Sequence, residues 1–273
     1  MSLPDPPAPQ QPRTEPLPEP ALRLARGARR VCVLTGAGMS AESGIPTFRD
    51  VQVGLWERFD PMELATPQAW AEDPEQCWAW YSWRATLVRR ALPHAGHEAL
   101  ARWQRHGGVE LTLSTQNVDD LHERAGAEVA AHVHGSLFAL RCADCARPSD
   151  AAYPDVAEPV AHLEPPVCRH CGGLVRPGVV WFGEALPEEA FFASVEAAQS
   201  ADLVVVVGTS GLVQPAATIP HLAGARGVPV VEINPWTTEI SEAAAVHWRT
   251  TAALGLPELV GQVLSPRAPA PVG

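Results

Sequence analysis

Four of the six cysteines form two C-x-x-C pairs, Cys142-Ala143-Asp144-Cys145 and Cys168-Arg169-His170-Cys171, with 22 residues between them. Each pair sets two thiolates on one tight turn, and two such turns close a tetrahedral Zn²⁺ site with Zn–S bonds of about 2.3 Å. Four thiolates leave no open position for water, so Cys142, Cys145, Cys168 and Cys171 read as a structural metal site, not a catalytic one. Two disulfides, a redox pair and a nucleic-acid-binding zinc ribbon are the competing readings. No signal-like apolar run lies near Met1, so a reducing compartment is expected, which argues against the first two. His170 lies inside the second knuckle, where four cysteines already fill the shell. Cys32 and Cys77, alone on apolar segments, read as core thiols.

A second string, Thr35-Gly36-Ala37-Gly38-Met39-Ser40, follows the apolar run Val31-Cys32-Val33-Leu34. Its two glycines let the backbone turn tightly and approach a pyrophosphate at a helix N-terminus. Ser40 or Ala41 stands where the usual dinucleotide fingerprint has its third glycine, and a plain structural turn is the alternative. Ten histidines are present, so any one is by default a surface or satisfied core residue. His134 is set apart by Gly135, which permits close approach. His132, two positions earlier on the possible strand 129–133, would share its face and competes with it.

On a helix read over 74–91, Tyr81 and Arg84 are an i, i+3 pair that places a phenol beside a guanidinium. A guanidinium holds a carboxylate through two parallel hydrogen bonds, and the phenol donates a third. The alternative is an amphipathic helix with an aromatic cluster (Trp78, Trp80, Trp83) and an exposed arginine.

The elements that must position these groups are short β-branched runs at 31–34, 109–114, 203–207 and 228–233, each followed by a polar or glycine-containing turn. Helical stretches are read at 74–91, 94–105, 187–199 and 257–264. Strands alternating with helices predict an α/β fold, a doubly wound parallel sheet whose ligand binds beyond the carboxyl ends of the strands. The cysteine segment, about 136–176, interrupts that rhythm as a small inserted module. Residues 1–20 hold eight prolines and read as a disordered tail, and 265–273 as a second tail.

The formal charge of -11 and pI near 5.3 argue against a nucleic-acid or anionic-membrane binder. No stretch approaches the roughly 20 apolar residues of a membrane span, so a cytoplasmic location is expected. All twenty basic residues are arginine; any chemistry directed at a lysine side chain must therefore act on another chain.

The continuation Ala41-Glu42-Ser43-Gly44-Ile45-Pro46-Thr47-Phe48-Arg49 and the later Thr115-Gln116-Asn117-Val118-Asp119-Asp120-Leu121-His122 closely resemble the signatures of the sirtuin family. His134-Gly135, Val180-Trp181-Phe182-Gly183-Glu184, Gly208-Thr209-Ser210 and Ile233-Asn234 follow in that family's order, so the resemblance covers roughly residues 21 to 264.

The resemblance implies a Rossmann-like NAD-binding domain (21–135 and 177–264) with a helical insertion at about 45–91, a zinc-binding module at 136–176, and NAD-dependent protein-lysine deacylation. Gly36, Ala37, Gly38 and Ser40 would hold the pyrophosphate and adjoining ribose. Thr47, Phe48 and Arg49 would close over the nicotinamide ribose, and Gln116, Asn117 and Asp119 would grip that ribose and the amide. Gly208, Thr209, Ser210, Asn234 and Ala252 would take the adenosine half. His134 matches the general base, while His122 packs beside the Gln-Asn-x-Asp turn. Acyl-lysine would lie extended between 179–182, with Val180 and Phe182, and 211–213.

Tyr81 and Arg84, with Ala65 in Leu64-Ala65-Thr66-Pro67, resemble the class that removes succinyl, malonyl or glutaryl groups. Gln214 precedes Pro215-Ala216-Ala217 where that class often has tyrosine, a departure at the peptide or acyl contact and not in the NAD motifs. Mono-ADP-ribosyl transfer, a non-catalytic NAD or ADP-ribose sensor and a hydride-transferring dehydrogenase are the rival functions.

Overall fold

The computed structural model describes residues 14–46 and 64–265. Eight strands occur among them: β1 (Arg30–Thr35), β2 (Glu110–Thr115), β3 (Val129–His132), β4 (Gly135–Cys142), β5 (Val175–Val179), β6 (Leu203–Val207), β7 (Val230–Ile233) and β8 (Val246–Trp248). Six of them make one parallel sheet in the order β3-β2-β1-β6-β7-β8. The helices are α1 (Glu19–Gly27), α2 (Gly38–Ala41), α3 (Pro67–Glu72), α4 (Pro74–Arg90), α5 (Ala95–His106), α6 (Leu121–Arg124), α7 (Glu188–Ser200), α8 (Ile219–Gly224) and α9 (Ala252–Leu264).

Alternation along β1 shows why its run is apolar throughout. Val31 and Val33 enter a core with Leu22, Leu100, Trp103, Leu256 and Leu259, from α1, α5 and α9. Cys32 and Leu34 face the other way, into a core with Ala198, Ile219 and Ala223, from α7 and α8. A strand covered on both faces needs apolar residues at every position. The chain runs outward from β1 to β2 and β3, then returns to β6 on the other side of β1. This reversal between β1 and β6 is the switch point where a doubly wound sheet opens a crevice.

β4 and β5 pair antiparallel in a separate small sheet. Their Leu137, Leu140, Val175 and Val179 share a third core with Trp78, Trp80, Tyr81 and Val88 of α4, so the helical insertion and the cysteine module are packed together. Asp73 caps α4 by accepting from Gln76 N at 2.8 Å, with Pro74 at the first helical position. Arg124 of α6 closes the other end, donating to Val88 O at 3.0 Å and Ala91 O at 2.5 Å.

Three expectations are corrected. The last helix starts at Ala252, not 257, and carries Pro257 within it; burial of Ala252, Leu256, Leu259 and Val260 outweighs the hydrogen bond that proline removes. The chain is tied down before residue 20: Glu15 N donates to Arg249 O at 2.8 Å, Glu15 O accepts from Trp248 Nε1 at 2.9 Å, and α1 begins at Glu19. The strand 129–133 ends at His132, and residues 133 and 134 form the turn into β4. His132 and His134 therefore do not share a strand face. Among the described residues no helix is long and apolar enough to cross a membrane.

Candidate active site at the switch point

Backbone meets backbone where the β1–α2 turn crosses the turn after β6. A Cβ on Gly38 would fall 2.8 Å from Gly208 O, and one on Gly208 (φ +62°) would fall 2.5 Å from Met39 N. Only glycine permits that approach, which Gly38 N secures by donating to Gly208 O at 2.8 Å. Gly36 is equally confined, its Cβ position 2.7 Å from Thr209 Cβ. The neighbouring turns are cross-linked. Asn117 Nδ2 donates to the buried Ser40 Oγ at 3.0 Å, Gln116 Nε2 to Thr209 Oγ1 at 3.2 Å, and Asn234 Nδ2 to Thr209 O at 2.9 Å. Glu239 N reaches Ser210 O at 3.4 Å. Ala252 heads α9, where Ala253 N donates to Glu42 Oε2 at 2.9 Å. Thr47, Phe48 and Arg49 lie outside the described residues.

Two histidines compete at the mouth of this crevice, and their partners separate them. His134 donates from Nδ1 to Gln116 O at 3.1 Å, while its Nε2 is buried without a hydrogen-bond partner. Burial lowers its pKa, against the opposing pull of the Gln116 carbonyl. The result is a neutral imidazole with a bare Nε2, the arrangement a proton acceptor requires. His132 instead sets Nε2 at 2.6 Å from Glu123 Oε1 and Nδ1 at 3.3 Å from Asn117 O. Burial alone would lower its pKa, but Glu123 raises it. Gly135 has φ +71°, and a Cβ there would collide with Gly178 O of the paired strand.

That pairing brings the segment after β5 to His134, whose carbonyl accepts from Val180 N at 2.9 Å. Two residues on, Phe182 N donates to Ala65 O at 2.9 Å, tying the helical insertion to the same rim. Tyr81 is 3% exposed and its hydroxyl accepts from Trp181 Nε1 at 3.0 Å, which leaves the phenol proton to donate elsewhere. Arg84, at 8%, is a buried guanidinium over the Trp80 ring, not the exposed arginine of the amphipathic-helix alternative. Burial lowers its pKa, partly offset by Tyr81 and Asp119. Asp119 is itself pushed up by burial, against hydrogen bonds from Leu121 N and Ser40.

The four predicted thiols converge. Their sulfurs all lie within 4.8 Å of one another, with Cys142–Cys171 at 3.4 Å and Cys145–Cys168 at 3.8 Å. A tetrahedron of 2.3 Å bonds needs S–S separations of about 3.8 Å, so the set fits one structural zinc. All six cysteines are free. His170 is exposed. Burial pushes the Cys32 thiol to about 12, and Cys77 bonds Leu64 O at 3.6 Å, as inert core thiols do.

A profile of the Sir2 family matches residues 36–215. The chain belongs to the Sir2 family. A Sir2 relative from Corynebacterium glutamicum, an NAD-dependent protein deacylase, is 53% identical over 245 residues, 89% of this chain and 94% of that one. An NAD-dependent protein deacylase from Mycobacterium tuberculosis is 55% identical over 231 residues, covering 85% and 96%. The solved complex of a Sir2 homologue with NAD superposes with a TM-score of 0.83 at 43% identity, covering 92% of this chain and 95% of that one.

Sequence reasoning missed the supports around this Sir2 site. Arg176 donates to both Glu184 oxygens, at 2.6 and 2.9 Å, and stacks 3.2 Å above the Trp181 ring. Glu184 also accepts from Trp181 N at 2.8 Å. Trp181 and Glu184 belong to the string 180–184, but no pattern in the sequence marks Arg176 as their partner.

Proposed function

We propose that this Sir2 protein removes acyl groups from lysine side chains of other proteins with NAD⁺ as co-substrate, and that acyl groups ending in a carboxylate are among those it takes. The observation that carries the first part is the buried, bare Nε2 of His134 beside a crevice built from glycine turns. The relatives named NAD-dependent protein deacylase support the same reading. NAD⁺ supplies the ribose that receives the acyl group and the nicotinamide that leaves.

In this reading Gly36, Ala37, Gly38 and Ser40 hold the pyrophosphate side, with Thr47, Phe48 and Arg49 over the nicotinamide ribose. Gln116, Asn117 and Asp119 orient that ribose and the amide. Gly208, Thr209, Ser210, Asn234 and Ala252 take the adenosine side. His134 Nε2 accepts a proton from a ribose hydroxyl, and the Gln116 carbonyl steadies the charge that Nδ1–H then carries. Acyl-lysine lies as an extended strand against Val180 and Phe182, facing Leu212 and Val213, which are 53% and 39% exposed. Cys142, Cys145, Cys168 and Cys171 hold the zinc that fixes this rim.

The acidic-acyl part rests on Arg84 and Tyr81. A buried guanidinium gains most from a ligand that brings a carboxylate, and the Tyr81 proton adds a hydrogen bond to it. Ala65 leaves room for the longer chain. The test is mass-spectrometric turnover of one lysine peptide bearing acetyl or succinyl by wild type, His134→Ala and Arg84→Met. Removal of succinyl that Arg84→Met abolishes, with acetyl spared, supports the whole reading. Removal of acetyl alone overturns the acidic part. Nicotinamide release without deacylation overturns both in favour of ADP-ribosyl transfer.

A further inference from the structure

Behind the site lie three polar side chains that the chemistry above does not use. Thr35 and Thr115 face each other across the β1–β2 register at the carboxyl ends of both strands, and His122 sits on α6. They are 0%, 1% and 2% exposed. A buried hydroxyl is costly unless hydrogen-bonded, and valine would fill the same volume without that cost. The bonds they make run in one line. His122 Nε2 lies 3.0 Å from Thr35 Oγ1. Thr35 Oγ1 donates to Thr115 Oγ1 at 2.8 Å, and Thr115 Oγ1 accepts from Asn117 N at 3.0 Å.

The line ends on a peptide unit with a second job. Asn117 N–H and Gln116 C=O belong to the same planar group, and that carbonyl is the one that takes His134 Nδ1–H at 3.1 Å. Holding the N–H end of a rigid plane sets where its carbonyl points.

We propose that His122, Thr35 and Thr115 are positioning residues that aim the Gln116–Asn117 peptide so that its carbonyl keeps His134 in the tautomer with a bare Nε2. The inference rests on His134 being the base of the proposed reaction. Because the Thr35 proton goes to Thr115, what His122 presents to Thr35 is an N–H, so His122 is the Nε2–H tautomer. Burial holds His122 at about 4, leaving it neutral with that single ring proton.

The experiment is ¹⁵N-histidine NMR of the full chain, with His134→Asn to assign the base, beside steady-state kinetics. Wild type is expected to show Nδ1–H at His134 and Nε2–H at His122. Thr35→Val should mix the His134 tautomers and lower kcat roughly tenfold, with KM for NAD⁺ and peptide kept within about twofold. Thr35→Ser, which keeps the hydroxyl, should restore both. An unchanged His134 tautomer in Thr35→Val overturns the proposal, as does a kcat loss that serine fails to restore. Should Thr35→Val not fold, His122→Gln, with an N–H near the Nε2 position, keeps the wild-type tautomer while His122→Met loses it; equal spectra overturn the proposal. Should wild type turn over no acyl-lysine, the deacylase reading fails while the spectra still decide this one.

Discussion

Trp181 donates its indole N–H to the hydroxyl of Tyr81 across 3.0 Å, joining the loop after β5 to helix α4. The bond fixes which way the phenol points, and with it the partner that the phenol proton serves. Tyr81→Phe removes the acceptor and leaves a buried N–H unpaired, at a cost of about 1–3 kcal/mol. It is expected to lower the melting temperature and to cut desuccinylation more than deacetylation. Equal loss of both activities would remove the hydroxyl from the acyl pocket.

Arg84→Met keeps length and apolar bulk while deleting the charge. Succinyl-peptide turnover is expected to fall roughly 100-fold and acetyl turnover to stay within about threefold. Measuring kcat/KM for both peptides separates a lost carboxylate contact from a general fault.

Acid should destabilise the fold through two buried histidines. Burial takes His97 to about 2 and His122 to about 4, both below the unfolded value near 6.5. Below about pH 6.5 the unfolded chain therefore binds more protons than the folded one. Their stability contribution is intact above that pH and lost as pH falls, levelling near 4 for His122 and near 2 for His97, at up to about 1.4 kcal/mol per pH unit each. Melting temperatures at pH 7.5 and 5.0 should differ accordingly, and His97→Asn should flatten the drop. A wild-type profile level from 7.5 to 5.0 would contradict this.

Gly135→Ala places a Cβ at φ +71° and into Gly178 O. A strain of about 1–3 kcal/mol must be relieved by moving β4 away from β5, and His134 moves with it. The expected outcome is a lower melting temperature together with a kcat loss of at least roughly tenfold. Near-normal kcat would show that His134 is held independently of this strand pair.

One zinc per chain is expected by elemental analysis. Cys142 and Cys168 lie in the same core as Trp78, Tyr81 and Trp181, so stripping the metal with a chelator should erase near-ultraviolet tryptophan dichroism along with acyl-peptide binding. Retention of both after complete removal would uncouple the module from the rim.

The central strands were legible because burial on both faces leaves an unbroken apolar run, as in Leu203–Val207, read with its observed bounds. β5 was not. Its sequence, Val-Arg-Pro-Gly-Val, holds a proline and a glycine that ordinarily demote a strand, and Arg176 is buried there against two distant partners, Glu184 and the Trp181 ring. β8 has three residues, too few to show a period. The cysteine spacing foretold the convergence of four sulfurs, since the ligands themselves enforce it. His132 and His134 could not be separated by spacing, because the deciding partner of His132 is Glu123, and the register that faces Thr35 with Thr115 is invisible in either strand alone.

The cores flanking the sheet and the core shared by α4 with the metal module have no residue in common. Such a chain need not unfold in one step. Heat or denaturant is expected to give two transitions, one for the thiolate-bearing half and one for the sheet, and a dinucleotide gripping the sheet turns would raise chiefly that of the sheet. An acylated peptide spanning the crevice touches both halves and would draw the two transitions together, so the substrate acts as a cross-brace as well as a reactant.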